Sequence, residues 1–324
     1  MEDNKKLSLQ FTGNGGDLFI IYLINALLIP FTLGIYFFWG SVKIKKYFHE
    51  NLEFLGGRFG YHATGKERFF GFLKAVAMVI VLGAAMFVLM KLLSFIVGEK
   101  AAAIIIMIFL YGGIIILIPV IQVGTLRYNL SRTSWKEYRF RFTGRPSDML
   151  VIYIKGLVLT AITLGIYAPW FICSLSAFIM GNTKIGNESF EYTGNGKDLL
   201  FKVVKGILLS IITLGIYVPW YIADIERYNW EHTLFQGKPF KSDMTGGQLF
   251  GAMLISTILV MFTFGIGFAW AVVRIRKVYL DSLSITAEPD IIGLVNIDDK
   301  DASATTSGVE DLGSLLDTLA DFIG

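Results

Sequence analysis

The sequence has little of the charged surface that a soluble protein needs. Only 17% of its 324 residues are charged, against about 25% in ordinary soluble domains. Hydrophobic residues make up 54% of the chain, and the mean hydropathy is +0.59. Such a chain must bury apolar surface against something besides itself, and lipid is the default partner. We therefore expect a membrane protein.

Cysteine and histidine are scarce, which excludes several kinds of site. The single cysteine, Cys173, cannot form a disulfide within the chain or a zinc finger. The three histidines, His49, His62 and His232, show no metal-ligand spacing. No Ser-His-Asp set or HExxH pair occurs, and Lys66 lacks the following Ser or Thr of a phosphate-binding loop. We predict no catalytic residue, no enzyme activity, no metal and no cofactor.

Acidic residues are concentrated near one end of the chain. Residues 280–324 contain ten acids and one base, so the preceding part carries +12 although the whole chain carries +3. The bases flank apolar runs, which is typical of contact with anionic lipids and not of nucleic-acid binding. Leucines at helical spacing oppose aspartates over 309–323. This segment predicts either a weakly ordered tail or a short amphipathic helix that binds a partner protein.

Residues 1–10 lack the apolar segment of a signal peptide, so we expect the first apolar run to remain in the membrane. Six runs reach or exceed the roughly 20 residues that cross a hydrocarbon core. They are residues 18–40, 69–97, 101–126, 149–181, 199–223 and 248–273. The predicted fold is a polytopic α-helical membrane protein.

One pattern occurs four times: a Thr-Gly turn, an acidic helix start, an apolar helix, a Leu-Gly-Ile break and a second helix that opens with aromatic residues, including a tryptophan. The fourth copy matches loosely, with Gln248 in place of the acid and Phe264 in place of the leucine. Between the first and second copies, we expect an inserted transmembrane hairpin. Alternating segments with glycine turns predict small β-hairpins at one membrane face. The predicted divisions are repeats 1–68, 127–190, 191–241 and 242–284, the inserted hairpin 69–126, and an acidic, largely disordered tail 285–324.

Recurring residues of the pattern have predicted roles. The helix-break glycines are Gly34, Gly165, Gly215 and Gly265. The helix caps are Asp17, Asp148 and Asp198. The expected contacts to anionic lipid headgroups are Trp39, Lys43, Lys45, Lys46, Trp170, Trp220, Trp270, Arg274, Arg276 and Lys277. Lys155 and Lys205 align within apolar helices and are candidates for a polar pathway, with snorkelling to headgroups as the alternative.

The repeated motif resembles that of a known family. Phe11-Thr-Gly-Asn-Gly15 with Asp17, followed by Thr32-Leu-Gly-Ile-Tyr36 and Trp39, is similar to bacterial inner-membrane proteins of the family typified by YjgN. The resemblance covers about residues 8–285. It implies a bacterial inner-membrane protein with several spans. It brings no catalytic residues, because the family is defined as one of unknown function.

Two topologies fit the apolar runs. Six simple crossings would place equivalent repeat surfaces alternately in the cytoplasm and the periplasm, whereas re-entrant helix pairs avoid this. We favour the second arrangement, with a cytoplasmic N-terminus and tail, and a periplasmic tip at 98–100. Transport or flux of a small solute or lipid is the favoured function, because broken helices within repeats are common in transporters. The alternative is a non-enzymatic scaffold or assembly factor that binds partners through cytoplasmic β segments and the tail.

Overall fold

The computed structural model describes residues 7–295 and is mainly helical. Within those residues it contains ten α-helices and ten β-strands. The helices are α1 Gly15–Phe31, α2 Phe37–Glu50, α3 Gly65–Val97, α4 Glu99–Ser131, α5 Pro146–Ile162, α6 Ala168–Asn182, α7 Gly196–Ile212, α8 Val218–Glu231, α9 Gly246–Phe262 and α10 Phe268–Asp281. The strands are β1 Gln10–Phe11, β2 Leu52–Phe54, β3 Gly57–Tyr61, β4 Thr133–Trp135, β5 Tyr138–Phe142, β6 Thr183–Ile185, β7 Glu188–Tyr192, β8 Thr233–Phe235, β9 Lys238–Ser242 and β10 Leu283–Ile285. The segment 309–323 lies outside the described residues.

The strands form one antiparallel sheet whose order follows the chain from β1 to β10. The two ends of this sheet meet, because Ser8 bridges Ser284 and the Leu9 N–H donates to the Leu283 carbonyl over 2.8 Å. The sheet is therefore curled into a closed ring, and its short strands protect one another's edges. The predicted surface hairpins are parts of this ring and not separate elements.

All the helices leave the ring of strands at the same open end. A helix pair connects β1 to β2, β3 to β4, β5 to β6, β7 to β8 and β9 to β10. Neighbouring antiparallel strands end and begin at the same edge, so all these pairs stand on one side and the tight turns lie on the other. We number them pairs 1 to 5, each with a first and a second helix. Each helix contacts the next along the chain, and α10 contacts α1, so the helices also form a closed ring.

In pairs 1, 3, 4 and 5, the first helix has 17 residues and the second has 14 or 15. The glycine in each connection has a φ between +89° and +94°. The Gly34 N–H donates back to the Ile29 carbonyl over 2.8 Å, and Gly215 does the same to Ser210 over 2.7 Å. These bonds satisfy carbonyls at the end of the first helix. The four predicted break glycines therefore lie at tight reversals between two helices.

Pair 2 differs from the others in length. Its two helices, α3 and α4, have 33 residues each and are joined at Gly98, which has a φ of +82°. At 1.5 Å per residue, each is about 50 Å long. Both are long and apolar enough to span a membrane, as expected for the predicted hairpin.

The predicted insertion occupies one of five equivalent places in the ring. The fourth residue of every first helix is fully or almost fully buried: Leu18, Arg68, Met149, Leu199 and Leu249. The tenth residue before the following strand is buried in every second helix: Val42, Val123, Cys173, Ala223 and Val273. Pair 2 is thus packed like its neighbours at the end nearest the sheet, and only the part farther from the sheet is longer.

Tryptophans join neighbouring pairs. A Cβ on Gly246, the first residue of α9, would lie 2.3 Å from the Trp220 ring, so only glycine permits this approach. Trp39 meets Gly65, Trp170 meets Gly196 and Trp270 meets Gly15 in the same way. In the remaining junction, Val120 replaces the tryptophan and Pro146 replaces the glycine. These tryptophans are therefore packing residues as well as partly exposed ones.

The ring of strands encloses an apolar core. Its buried members include Trp135, Ile185, Phe235, Phe240, Leu283 and Ile285. After β10 the chain passes the side of the tight turns, where the Val295 N–H donates to Asn187 Oδ1 over 3.0 Å. Leu294 is buried in the same core. The predicted disordered tail is therefore wrong for residues 285–295, which pack against the sheet.

The tryptophan junction gives a direct test. Gly246→Ala should destabilise the protein by about 1–3 kcal/mol, because the added methyl group overpacks against Trp220. Gly247→Ala is the matched control, since a Cβ at Gly247 meets nothing within 4 Å and alanine favours helix by up to about 1 kcal/mol. Thermal unfolding in detergent should give a lower midpoint for Gly246→Ala alone. Equal midpoints would contradict this packing.

Candidate functional site

A cavity of about 700 Å³ lies between α1, α2 and α10, where the last helix pair meets the first. On α1, Tyr22 and Ile29 line it. Helical spacing places these two residues opposite the exposed Ile20 and Leu27. The cavity therefore faces the inside of the helix ring. Its walls are mainly apolar and include Leu23, Ala26, Phe37, Ile44, Phe268 and Val272.

Two basic residues line this cavity, one from each end of the chain. Lys45 on α2 and Arg276 on α10 both stand seven residues before the next strand. The Lys45 ammonium donates to Asn129 Oδ1 over 3.3 Å. The Arg276 guanidinium lies 4.7 Å from the centre of the Phe48 ring. The residues that line the cavity, among those described, include no aspartate or glutamate, so its charge is positive.

The cavity has a charged end and an apolar end. The first helix α1 runs away from the sheet, whereas α2 and α10 return to it. Ile29, Phe37 and Ile266 therefore lie toward the helix breaks. Lys45 follows Phe37 by eight residues of helix, which places it about 12 Å nearer to the sheet. This arrangement suits a molecule with an anionic head and an apolar body.

Asn25 lies in the cavity wall between these ends. It is 6% exposed, and its side-chain oxygen has no hydrogen-bond partner among the described residues. Space for the amide comes from Gly40, because a Cβ there would lie 2.7 Å from that oxygen. Buried polar groups normally have a partner. The equivalent positions of the other first helices hold Ala75, Gly156, Gly206 and Ser256.

A buried arginine stands behind the same wall. Arg68 occupies the position that holds Leu or Met in the other first helices, and it is 0% exposed. Its Nη1 donates to Ser41 Oγ over 2.9 Å, and its guanidinium lies 5.9 Å from the Tyr128 ring centre. Ser41 itself lines the cavity. The Ser41 hydroxyl group therefore links the Arg68 guanidinium to the cavity wall.

His49 lies one helical turn beyond Lys45 on α2. Its Nδ1 lies 2.8 Å from the Lys45 carbonyl, and its ring stacks on Tyr61 at 5.0 Å. Burial lowers the pKa of His49, and the nearby charges of Lys45 and Arg276 lower it further, against the opposing effect of the hydrogen bond to the Lys45 carbonyl. The neutral imidazole is therefore favoured in the folded protein.

The predicted pathway lysines are not part of this cavity. Lys155 and Lys205 are the tenth residues of α5 and α7, and both are exposed. Lys74 holds the same position in α3 and is also exposed. The structure thus places three equivalent lysines on the outside of consecutive helix pairs. The pathway role of Lys155 and Lys205 stays a prediction, and this placement favours the snorkelling alternative.

The basic residues expected at headgroups divide into two sets. Lys45 and Arg276 line the cavity, which motif spacing did not reveal because the two helices belong to opposite ends of the chain. Arg276 is nevertheless exposed, as are Lys43 and Arg274, and Lys43 donates to the Tyr36 hydroxyl over 2.7 Å. Lys46 and Lys277 are partly exposed.

The predicted aspartate caps need a correction. The N-cap positions are Asn14, Arg145 and Asn195, and the aspartates stand three residues later in the first helical turn. Asn14 Oδ1 accepts from the Asp17 N–H over 2.9 Å, and Asp17 Oδ2 accepts from the Asn14 amide over 2.6 Å. Asp17, Asp148 and Asp198 still favour the positive end of each helix. Within residues 7–295, no group of three or more His, Cys, Asp or Glu side chains could hold a metal ion.

Comparison with known proteins identifies similar chains. A family model described as bacterial protein of unknown function, DUF898, matches residues 6–204, 188–241 and 239–312. Inner membrane protein YjgN of Salmonella typhimurium is 33% identical over 141 residues, which are 44% of this chain and 32% of that protein. Inner membrane protein YjgN of Escherichia coli O157:H7 is 44% identical over 63 residues, which are 19% of this chain and 16% of that protein.

The matched parts thus span about a third of the Salmonella relative and less than a fifth of the Escherichia coli O157:H7 relative. No solved structure matches the chain.

The environment of His49 predicts a pH dependence. Because the folded protein lowers the pKa of His49, the unfolded chain binds this proton more readily near the ordinary histidine value of about 6.5. The contribution of neutral His49 to stability is full above that value and is lost as the pH falls below it. Unfolding in detergent, measured between pH 5 and 8, should show a shallower acid-side decline for His49→Gln than for the wild type. Lys43→Gln on the same helix is the control, and an unchanged decline in His49→Gln would refute the assignment.

Proposed function

Since the chain belongs to the DUF898 family of bacterial proteins of unknown function, we propose that it is an inner-membrane protein that binds and moves lipid within the cytoplasmic leaflet. The observation that carries this proposal is the depth to which its helix pairs can reach. Four pairs are too short to cross a bilayer, whereas their outer ends are strongly apolar. A ring of this form is suited to one leaflet.

The outer ends of the short pairs are apolar and fully exposed. Leu33 is 93% exposed, Leu164 and Leu214 are 94% exposed, and Phe264 is 97% exposed. Each lies at the reversal between the two helices of a pair, beside the break glycine. Such side chains are unfavourable in water, and together they form an apolar rim. Hydrocarbon is the environment that suits this rim.

The equivalent lysines set the depth of insertion. Lysine near an apolar surface keeps its ammonium at headgroup level. Lys205 precedes the reversal at Leu214 by nine residues, which corresponds to about 13 Å of helix. Half of a hydrocarbon core is about 15 Å. The short pairs therefore reach the middle of the bilayer and return.

Pair 2 reaches further. From Lys74 to Val97, α3 extends 23 residues, or about 35 Å. This length covers a hydrocarbon core of about 30 Å. One helix hairpin therefore crosses the membrane and anchors the ring, while the other pairs enter from the same side. The tip at Glu99 then faces the periplasm, and the sheet with its basic strands faces the cytoplasm, in agreement with the positive-inside rule.

The equivalent buried positions support an origin by repetition. Five copies of one unit, each a helix pair with a strand on either side, account for the ring better than four repeats and an insertion. Pair 2 is then the copy whose helices became longer. In this copy Tyr61, Gly65 and Glu67 have the same spacing as Tyr192, Gly196 and Asp198 in pair 4.

This placement favours lipid over a solute as the molecule that is moved. A ring that ends near the bilayer midplane does not enclose a route across both leaflets, whereas lipid of one leaflet contacts the ring directly. The cavity inside the ring offers a basic end and an apolar end. The scaffold alternative would require no occupant of this cavity.

Single cysteines in a Cys173→Ser background test the depth. Leu214→Cys should be unreactive to an impermeant thiol reagent on either side, because the rim lies in hydrocarbon. Glu99→Cys should react in intact cells. Glu191→Cys, on the exposed face of β7, should react only after lysis. A nitroxide at position 214 should report high oxygen and low polar-reagent accessibility, as expected near the bilayer centre.

Labelling of Leu214→Cys from the periplasm in intact cells would show that the short pairs cross the membrane. Labelling of the same residue only after lysis would show that the ring stays outside hydrocarbon. Either result would overturn the one-leaflet placement, and with it the preference for lipid.

A further inference from the structure

The basic pair at the cavity is a local feature of a repeated frame. The position of Lys45 and Arg276 is occupied by Leu126, Ser176 and Glu226 in the second helices of pairs 2, 3 and 4. Two neighbouring cations therefore occur at the junction of pairs 5 and 1. Repeated packing explains why the position is similar in every pair, but it does not explain why this junction alone, within residues 7–295, has a base on both sides.

Asn25 is a second local feature of the same junction. Its equivalents are small residues, serine at most, whereas Asn25 places a buried amide in the cavity wall. The amide oxygen has no partner among the described residues although the side chain is 94% buried. A buried amide oxygen without a hydrogen-bond partner destabilises the protein. A bound molecule with a polar group at this depth would remove that penalty.

The spacing of these groups follows the order of groups in a phospholipid. Lys45 is five residues of helix from Gly40, which contacts Asn25, so the basic end and the amide are about 7–8 Å apart along the helix. Beyond Asn25 the lining continues as Ile29, Phe37 and Ile266 toward the rim. Phosphate, glycerol esters and acyl chain occur in the same order along a lipid of the cytoplasmic leaflet.

We propose that this cavity binds one anionic phospholipid, with its phosphate between Lys45 and Arg276, its glycerol esters beside Asn25, and its acyl chains directed to the rim. The proposal rests on the one-leaflet placement and specifies the lipid class. Its volume of about 700 Å³ lies within the roughly 300–1,000 Å³ that is typical of ligand sites. Arg68 adds positive charge behind Ser41. Charge-assisted hydrogen bonds from Lys and Arg side chains are the strong contacts that hold a phosphate.

Lipid binding to the purified full-length protein is the test, with native mass spectrometry as the readout. Phosphatidylglycerol should bind with one high-affinity site and be preferred over phosphatidylethanolamine. Lys45→Gln with Arg276→Gln should weaken phosphatidylglycerol binding about tenfold or more, as expected when charge-assisted bonds to a phosphate are lost. Asn25→Ala should weaken the binding of both lipids, because both carry glycerol esters.

Lys66→Gln with Lys197→Gln is the matched control. It removes the same charge from two exposed positions at the sheet end of first helices, outside the cavity, and should retain wild-type binding. Unfolding midpoints of all variants show whether a loss of binding is a loss of fold; if a cavity variant unfolds, Lys45→Arg should retain binding.

Equal loss in the control and the cavity variants would show a diffuse surface effect and overturn the proposal. Saturable binding of inorganic phosphate that matches that of phosphatidylglycerol would identify a soluble anion site instead. Binding of oleate as tight as that of phosphatidylglycerol would show that no phosphate is needed, and would overturn the phosphate assignment. Depth measurements at position 214 are independent of the cavity variants, so failure of lipid binding would leave the one-leaflet placement intact.

Discussion

Everything in this structure depends on the pairing of the two ends of the chain. Residues 7–9 pair with β10, and the Phe11 N–H donates to Asp281 Oδ1 over 2.7 Å. Trp270 packs on Gly15 at the same junction. These contacts close both the strand ring and the helix ring. The cavity exists because closure brings α10 beside α1 and α2. More than 200 residues of sequence separate α10 from these two helices.

Within helix pairs 1, 3 and 4, a large side chain on one helix packs against a small residue on the other. In pair 4, Gly206 allows the ring of Tyr221 to approach, and in pair 3 Gly156 does the same for Phe171. In pair 1 the order is reversed, since Asn25 is large and Gly40 is small. Such volume-conserving exchanges preserve a packed interior while the chemistry at the position changes. A polar group was thus accommodated at one junction without a different backbone.

Much of the local structure could be predicted from the sequence, and the family resemblance drawn from the repeated motif is confirmed. The left-handed break glycines and the long apolar hairpin follow from local residue patterns. Closure of the sheet could not be predicted, because strands of two to five residues carry almost no periodic signal. The equivalence of pair 2 was hidden for a similar reason: it lacks the Leu-Gly-Ile break, and arginine replaces leucine at its buried fourth position.

The candidate site shows the same limit from another side. Local spacing drew attention to Lys155 and Lys205, because they recur in apolar helices, and the structure places both on the outside. Lys45 and Arg276, which line the same cavity, had the sequence pattern of ordinary flanking bases. In a structure built from repeats, residues that recur in every repeat reflect the packing that the repeats share. Departures from that frame are more informative about function, and Asn25, Arg68, Lys45 and Arg276 depart from it within one neighbourhood, where packing alone requires none of their charges or amides.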